Sequence, residues 1–185
     1  TRSINSIKSL NFFSNVKSEV ITGTDNGQKI ININVEEKPT GEISAGAGIA
    51  TAGATVGFSI KENNFLGRGI QFGSDITLSE QSLKGLISVN NPNYQGTNKS
   101  LNFSLESSTN DRLSDFGYKS NKTGFSIGSG FEFYDDLRLT TGVSAYVENL
   151  KTDASASKKM KQQKGSYFDS FFNHTLSYDK RNQRY

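Results

Sequence analysis

Residue types that could carry chemistry are sparse in this 185-residue sequence. His174 is the single histidine, and one imidazole alone makes neither a metal site nor a nucleophilic triad. Asp135 and Asp136 are adjacent, so their side chains diverge, and they fit a turn better than an acid–base pair. Cysteine is absent, which removes thiolate ligands and disulfides. We therefore expect no catalytic residue, no metal, no cofactor and no enzymatic activity.

Two other motifs invite a functional interpretation. Gly46-Ala47-Gly48 has closely spaced glycines, but it lacks the spacing of a dinucleotide fingerprint and no helical pattern follows it. One polar segment, residues 158–164, holds a lysine cluster: Lys158, Lys159, Lys161 and Lys164. This cluster is either a solvated loop or an attractor for anionic partners. The net charge of +3 is too small to indicate a nucleic-acid partner.

The composition favours β structure. Only 33% of the residues are hydrophobic and the mean hydropathy is −0.55, so no run approaches the ~20 apolar residues of a membrane helix. The 18 glycines, 2 prolines and 11% aromatic residues suit strands and turns instead. A β-strand that crosses a bilayer alternates polar and apolar residues, so the low hydropathy does not exclude a membrane barrel.

The first 39 residues predict a small α+β unit. Residues 3–12 have the spacing of an amphipathic helix, and residues 15–22 and 29–37 alternate as strands. Between the strands, Thr24-Asp25-Asn26-Gly27 predicts a tight turn. Pro39 breaks the pattern and marks a boundary. We therefore divide the chain into residues 1–39 and residues 40–185.

From Gly41 onward the sequence predicts about eight antiparallel strands. They cover residues 41–50, 54–62, 70–79, 82–90, 99–107, 123–133, 137–148 and 166–178. Most approach the ~9–11 residues of a tilted membrane-crossing strand. One face of each is apolar, with Phe and Tyr near the strand ends, and the other carries Gly, Ser and charged residues, as in the wet interior of a wide barrel. A soluble β-sandwich is the alternative, although its strands would be nearer ~5–6 residues.

The connections between these strands differ in length. The sequence predicts long polar loops at 108–122 and 149–165, and shorter turns after the second, fourth, sixth and eighth strands. Long loops on one side and short turns on the other are typical of outer-membrane barrels. On this pattern we expect the long loops outside the cell and the N-terminal unit in the periplasm.

Five segments resemble the BamA-like family of outer-membrane protein assembly factors. Residues 6–16 (SIKSLNFFSNV) are similar to the second helix of the last POTRA domain leading into its strand. Residues 35–48 (VEEKPTGEISAGAG) resemble the end of that domain and the first barrel strand. The other three resemble barrel turns: residues 64–69 (NFLGRG), 89–94 (VNNPNY) and 179–182 (DKRN). Together they span most of the chain in the order of the family.

The resemblance implies a fold and a function. The fold would be the C-terminal part of a POTRA domain followed by the N-terminal half of an antiparallel transmembrane β-barrel. Proteins of this family fold and insert β-barrel proteins into the bacterial outer membrane, without nucleotide or cofactor. Implied partners are nascent outer-membrane barrel proteins, periplasmic lipoproteins of the assembly complex, the lipid bilayer and lipopolysaccharide, but not nucleic acid.

The first barrel strand is the expected site of action. An open strand edge presents unpaired N–H and C=O groups, to which a substrate strand can add. Gly46 and Gly48 remove cross-strand side-chain contacts, which would weaken pairing with the closing strand. The residues implied in strand binding are Glu42, Ile43, Ser44, Ala45, Gly46, Ala47, Gly48 and Ile49.

Several alternatives stay open on the sequence alone. We expect the chain to be a fragment, without the first half of the POTRA domain and the C-terminal half of the barrel. A sibling insertase of the TamA type or a two-partner secretion transporter would share several of the motifs. A passive porin-like channel is a further alternative, although porins begin directly with their first strand. A surface adhesin or soluble sandwich comes last.

Overall fold

The computed structural model of this chain describes residues 2–23, 27–50 and 53–180. The chain divides into two compact units, Thr1–Gly41 and Glu42–Tyr185. Part of the predicted turn at Thr24, Asp25 and Asn26 lies outside the described residues, as do Arg181 and Asn182 of the last turn motif.

The first unit is a helix followed by a hairpin. Helix α1 is Arg2–Ser9, and the antiparallel strands β1 and β2 are Phe13–Thr22 and Lys29–Glu37. The helix is shorter than predicted because Asn11 adopts a φ of 59°, which turns the chain into β1. Lys38 holds this corner, since its backbone N–H donates to the Phe12 carbonyl at 3.0 Å and its Nζ donates to Asn11 Oδ1 at 2.6 Å.

The second unit is one antiparallel sheet of eight strands whose spatial order follows the chain. The strands are β3 Gly41–Ala50, β4 Gly53–Phe65, β5 Ile70–Ser79, β6 Ser82–Asn91, β7 Lys99–Arg112, β8 Tyr118–Tyr134, β9 Leu137–Thr152 and β10 Gly165–Tyr178. Two short helices, α2 Leu113–Phe116 and α3 Lys158–Gln162, lie in connections. The predicted fold class is confirmed: the chain is mainly β, and β3 and β10 form the two edges of an open sheet.

The strand register gathers the apolar residues on one face. Residues directly opposite each other in an antiparallel pair share a face. Apolar pairs recur across the sheet: Phe58 with Ile76, Ile87 with Leu105, Phe125 with Ala145, and Val143 with Phe172. This face is exposed, and among the described residues the only buried hydrophobic side chains are Leu150 and Ala156. A continuous exposed apolar face without a dry core is the arrangement of a lipid-facing sheet.

The opposite face is polar and interlocked. Lys84 Nζ lies 3.5 Å from Glu106 Oε1, and Ser126 Oγ donates to Ser144 Oγ at 2.8 Å. Lys122 Nζ lies 4.3 Å from the ring centre of Tyr146, whose ring covers the opposed Gly124. A Cβ at Gly124 would overlap that ring and the Ala145 carbonyl, so this glycine makes room for the aromatic side chain.

The predicted long loops are shorter than expected. Strand β7 continues to Arg112 and β8 begins at Tyr118, while β9 continues to Thr152 and β10 begins at Gly165. The connections are therefore residues 113–117 and 153–164, not 108–122 and 149–165. The backbone ladder continues between opposed polar residues such as Asn121 and Asn149, where hydrophobic alternation has already ended. Alternation reports burial against lipid and not backbone pairing, which explains the error.

The short turns follow the sequence prediction. Residues 66–69 connect β4 to β5, and Asn64 at the end of β4 closes the turn because its Oδ1 accepts from the Gly69 N–H at 2.7 Å. Gly67 and Gly69 have φ values of 68° and 64°, which glycine adopts without strain. Asp135 and Asp136 form the two-residue connection between β8 and β9, as predicted.

Candidate functional site

Strand β3 forms a free edge of the sheet. Within the part of the chain that the structure describes, it neighbours β4 on one side and no strand on the other. Residues of an edge strand present alternate backbone N–H and C=O groups to whatever approaches. Glu42, Ile43, Ser44, Ala45, Gly46, Ala47, Gly48 and Ile49 all lie along this strand. We call this strand border the β3 edge.

The side chains of the β3 edge have few neighbours. Residues 41–49 are exposed at every position, whereas β4 alternates between half-buried and exposed positions. Ile49 is 93% exposed and Ile43 is 71% exposed. The strand is thus held to the sheet mainly by its backbone bonds to β4, because side-chain packing contributes little.

The β3 glycines Gly46 and Gly48 differ from the tightly packed glycines of β8 and β9. A Cβ at Gly46 or Gly48 would meet no atom within 4 Å. In contrast, a Cβ at Gly128 would lie 2.6 Å from Asn102 Oδ1, and one at Gly142 would lie 2.7 Å from the Ile127 carbonyl oxygen. Close packing requires glycine at those two positions but not at Gly46 or Gly48. The effect of the β3 glycines is therefore to withhold side-chain contacts from whichever strand pairs with this edge.

The length of the apolar stretch varies from strand to strand. On β9 the outward apolar positions run over residues 137–147, about 35 Å along the strand. On β6 they run over residues 83–89, about 20 Å, and on β7 over residues 101–105, about 14 Å. The Ile and Ala residues of β3, 43–49, again cover about 20 Å. A bilayer has a hydrocarbon core of about 30 Å, so lipid beside the shorter strands must thin to match them.

The other residues singled out in the sequence lie apart from this edge. His174 lies on the apolar face of β10, where its ring centre is 5.9 Å from that of Phe172. In residues 2–23, 27–50 and 53–180, no group of three or more His, Asp or Glu side chains is placed to hold a metal ion. The described helices are all too short or too polar to traverse a bilayer.

The lysine cluster belongs to a structured connection. Three of its four lysines lie on α3, which begins after Ser157 with a Ser157 Oγ bond to the Met160 N–H at 3.3 Å. Lys161 Nζ donates to the Ala154 carbonyl at 2.7 Å. Sequence reasoning missed Lys119 and Lys151, which the β8–β9 register places opposite each other beside this connection. Two strand lysines that lie 32 positions apart give no sequence signal, because only the strand register brings them together.

Comparison with known proteins identifies the kind of sheet to which β3 belongs. Functionally curated sequences give no significant match. Among solved structures, BamA from Haemophilus ducreyi lacking POTRA domains 1–3 superposes with a TM-score of 0.74 at 19% identity. The superposition covers 100% of this chain and 38% of that one, so the chain spans well under half of its structural relative. The family model described as Omp85 superfamily domain matches residues 64–185, which is most of the eight-stranded unit. This chain therefore belongs to the Omp85 superfamily.

Proposed function

We propose that this chain forms part of an outer-membrane insertase, in which the β3 edge receives a strand of a nascent β-barrel protein. The observation that carries the proposal is that β3, one of the two borders of the sheet, is exposed along residues 41–49 and has glycines whose Cβ positions meet no neighbour. An incoming strand gains backbone hydrogen bonds along residues 42–49 whatever its own side chains are. Such an edge accepts substrates of many sequences.

Weak side-chain packing supports exchange at the β3 edge. In a closed barrel another strand pairs with β3, and this closing strand must leave before a substrate strand can pair there. Gly46 and Gly48 contribute no cross-strand contacts, each of which is worth roughly 0.2–1 kcal/mol.

The remaining parts of the proposal concern partners and location. Residues 1–39 are the C-terminal part of the last POTRA domain and lie in the periplasm, where they contact lipoproteins of the assembly complex. Residues 40–185 lie in the bacterial outer membrane. The protein acts by strand pairing alone, without catalysis and without cofactor. We take the chain to be an assembly factor, with a sibling insertase of the TamA type as the alternative.

A passive channel is the second candidate. It is favoured by the polar face, where Lys84, Glu106 and Lys122 lie opposite the lipid-facing side chains. Ion conductance in planar bilayers, together with unimpaired insertion of barrel proteins in cells depleted of this protein, would establish the channel instead.

A pair of proline substitutions tests the role of the β3 edge. Neighbouring residues of a strand direct their N–H groups to opposite sides, so Ser44→Pro and Ala45→Pro remove one donor facing β4 and one facing the free edge. Each variant of the complete gene product would be reconstituted in liposomes with an unfolded outer-membrane barrel substrate. Folding of the variant and of the substrate is read from heat-modifiable gel mobility.

We expect one of the two variants to fold normally and insert substrate slowly, since proline is tolerated on the outer side of an edge strand. A thiol cross-link between Ala47→Cys and a cysteine in the substrate strand should form during insertion. The proposal is contradicted if both proline variants insert substrate at the normal rate. It is also contradicted if an active Ala47→Cys protein forms no cross-link to the substrate strand.

A further inference from the structure

The outward face of β7 to β10 changes character above the apolar band. Val147 and Phe168 are opposed and end the band on β9 and β10. The next outward row is made of amides and hydroxyls: Thr109, Asn121, Asn149 and Ser166. Thr109 Oγ1 donates to Asn121 Oδ1 and Asn149 Nδ2 donates to Ser166 Oγ, both at 2.9 Å. We call these four residues the polar row. They offer hydrogen bonds about 7 Å beyond the last apolar side chains.

Positive charge follows the polar row. Lys151 comes two residues after Asn149 on the same face and is exposed. Residues 149–165 hold five lysines and one aspartate, so this segment alone carries more positive charge than the net +3 of the chain. The ion pairs found within the described residues involve Lys84, Arg112 and Lys119. The fifth lysine of the segment, Lys161, donates to the Ala154 carbonyl. We call the other four, which are exposed, the basic rim: Lys151, Lys158, Lys159 and Lys164.

The basic rim stands on a fixed connection. The Asp153 N–H donates to the Gly117 carbonyl at 2.9 Å, and Asp153 Oδ1 accepts from the Ser155 N–H and Oγ at 2.7 Å each. Ala156 is buried against Gly117, at 5% exposure. The Tyr167 hydroxyl donates to the Gln163 carbonyl at 2.6 Å. These contacts fix the backbone on both sides of α3. The connection is therefore already ordered, and little backbone entropy is lost when a ligand binds to it.

We propose that the outer face of β8 to β10, from the apolar band to the basic rim, binds a phosphorylated glycolipid of the outer leaflet. Acyl chains lie on Val147 and Phe168, sugar hydroxyls and amides meet the polar row, and phosphates meet the rim lysines. Lys151 lies about 13 Å along the strand from Val147, which matches the step from hydrocarbon to headgroup. Continuity with the apolar face selects a lipid over free phosphate.

The expected strength follows from the charges. A lysine near an anionic membrane surface contributes about fivefold to binding. Neutralising three of them sets an upper limit of about 100-fold, and because salt screens exposed charges we expect a loss of at least about tenfold. The inference rests on the proposed function, since it requires the β9–β10 connection to lie outside the cell.

The test compares two triple variants of the complete gene product in detergent. The rim variant carries Lys151→Gln, Lys158→Gln and Lys159→Gln. The control carries Lys8→Gln, Lys17→Gln and Lys29→Gln, three exposed lysines of the first unit. Native mass spectrometry measures retention of bisphosphorylated lipid A, the same lipid with its phosphates removed, and inorganic phosphate. We expect the affinity for bisphosphorylated lipid A to fall at least about tenfold in the rim variant and less than twofold in the control.

The proposal is overturned if both variants lose affinity for bisphosphorylated lipid A equally, or if the rim variant loses none. It is also overturned if the unmodified protein binds the dephosphorylated lipid equally well. Tight binding of inorganic phosphate alone overturns the lipid assignment. A Gln162→Cys variant should react with an impermeant maleimide on intact cells, and labelling only after permeabilisation also refutes the site. The rim variant should insert barrel substrates normally, so failure of the β3 proline test and failure of the lipid test are separate outcomes.

Discussion

Replacing Gly46 and Gly48 by valine should slow insertion without harming the barrel. A Cβ at either position meets no atom within 4 Å, so the substitution introduces no clash. Glycine within a strand costs roughly 0.5–1 kcal/mol in backbone freedom relative to alanine, and valine favours the extended conformation further. The two changes together stabilise the paired strand by about 1–2 kcal/mol. If exchange passes through an unpaired β3, its rate should fall about 5- to 30-fold, since 1.4 kcal/mol is a factor of ten.

The assay follows insertion of an unfolded barrel protein into liposomes that contain the complete gene product. A matched control is Gly57→Val with Gly85→Val. A Cβ at either control position lies 4.0 Å from the nearest backbone oxygen, so valine is tolerated there, but both residues sit in strands paired on two sides. We expect the control to insert substrate within about twofold of the unmodified protein.

Two results would refute the reasoning. If the folded Gly46→Val, Gly48→Val protein inserts substrate at the unmodified rate, weak pairing at the β3 edge is not what permits exchange. If the Gly57→Val, Gly85→Val control inserts substrate equally slowly, the effect comes from stiffening the sheet as a whole. Heat-modifiable mobility of both variants establishes that each is folded before rates are compared.

Two further predictions concern the paired strands and the connection beyond them. Gly124→Ala should lower the urea midpoint of the folded form by an amount equivalent to about 1–3 kcal/mol, because its Cβ overlaps Tyr146 and the Ala145 carbonyl, and an unchanged midpoint would contradict that packing. Hydrogen bonds from the Ser155 side chain and N–H, with smaller contributions from Ala156 and Lys161, lower the pKa of Asp153. Its contribution to loop stability is therefore complete above the unfolded value of about 3.9 and is lost as pH falls through the lower folded value. Pepsin should cleave residues 153–164 only at the acid end of its range, and Asp153→Asn, which cannot titrate, should abolish that dependence.

Much of the sheet could be predicted from the sequence because side-chain alternation and turn chemistry agree there. In β4 to β6 the apolar positions alternate cleanly, and residues 64–69 contain the glycines that a turn with positive φ requires. Local pattern and global fold point to the same answer in these strands. The strand ends at Arg112 and Thr152 could not be predicted, because polar residues cover both faces while the ladder continues.

The candidate sites also differ in how much of each the sequence alone can indicate. The functional role of the β3 edge stays a prediction, which rests on the family resemblance at the start of the barrel. The row that places Lys119 beside Lys151 was not predicted, since it depends on a register between strands far apart in the chain. Likewise, the fixed position of α3 depends on contacts between Gly117 and Asp153 in two different connections.

Glycine illustrates why residue type alone does not reveal function in this sheet. Gly124 and Gly142 allow close approach of paired strands, so replacing them should weaken the sheet. Gly46 and Gly48 lie on an open edge, where replacement should strengthen pairing. Under the proposed function, glycine stabilises close pairing in β8 and β9 and permits strand exchange in β3. The space around each Cβ distinguishes the two cases.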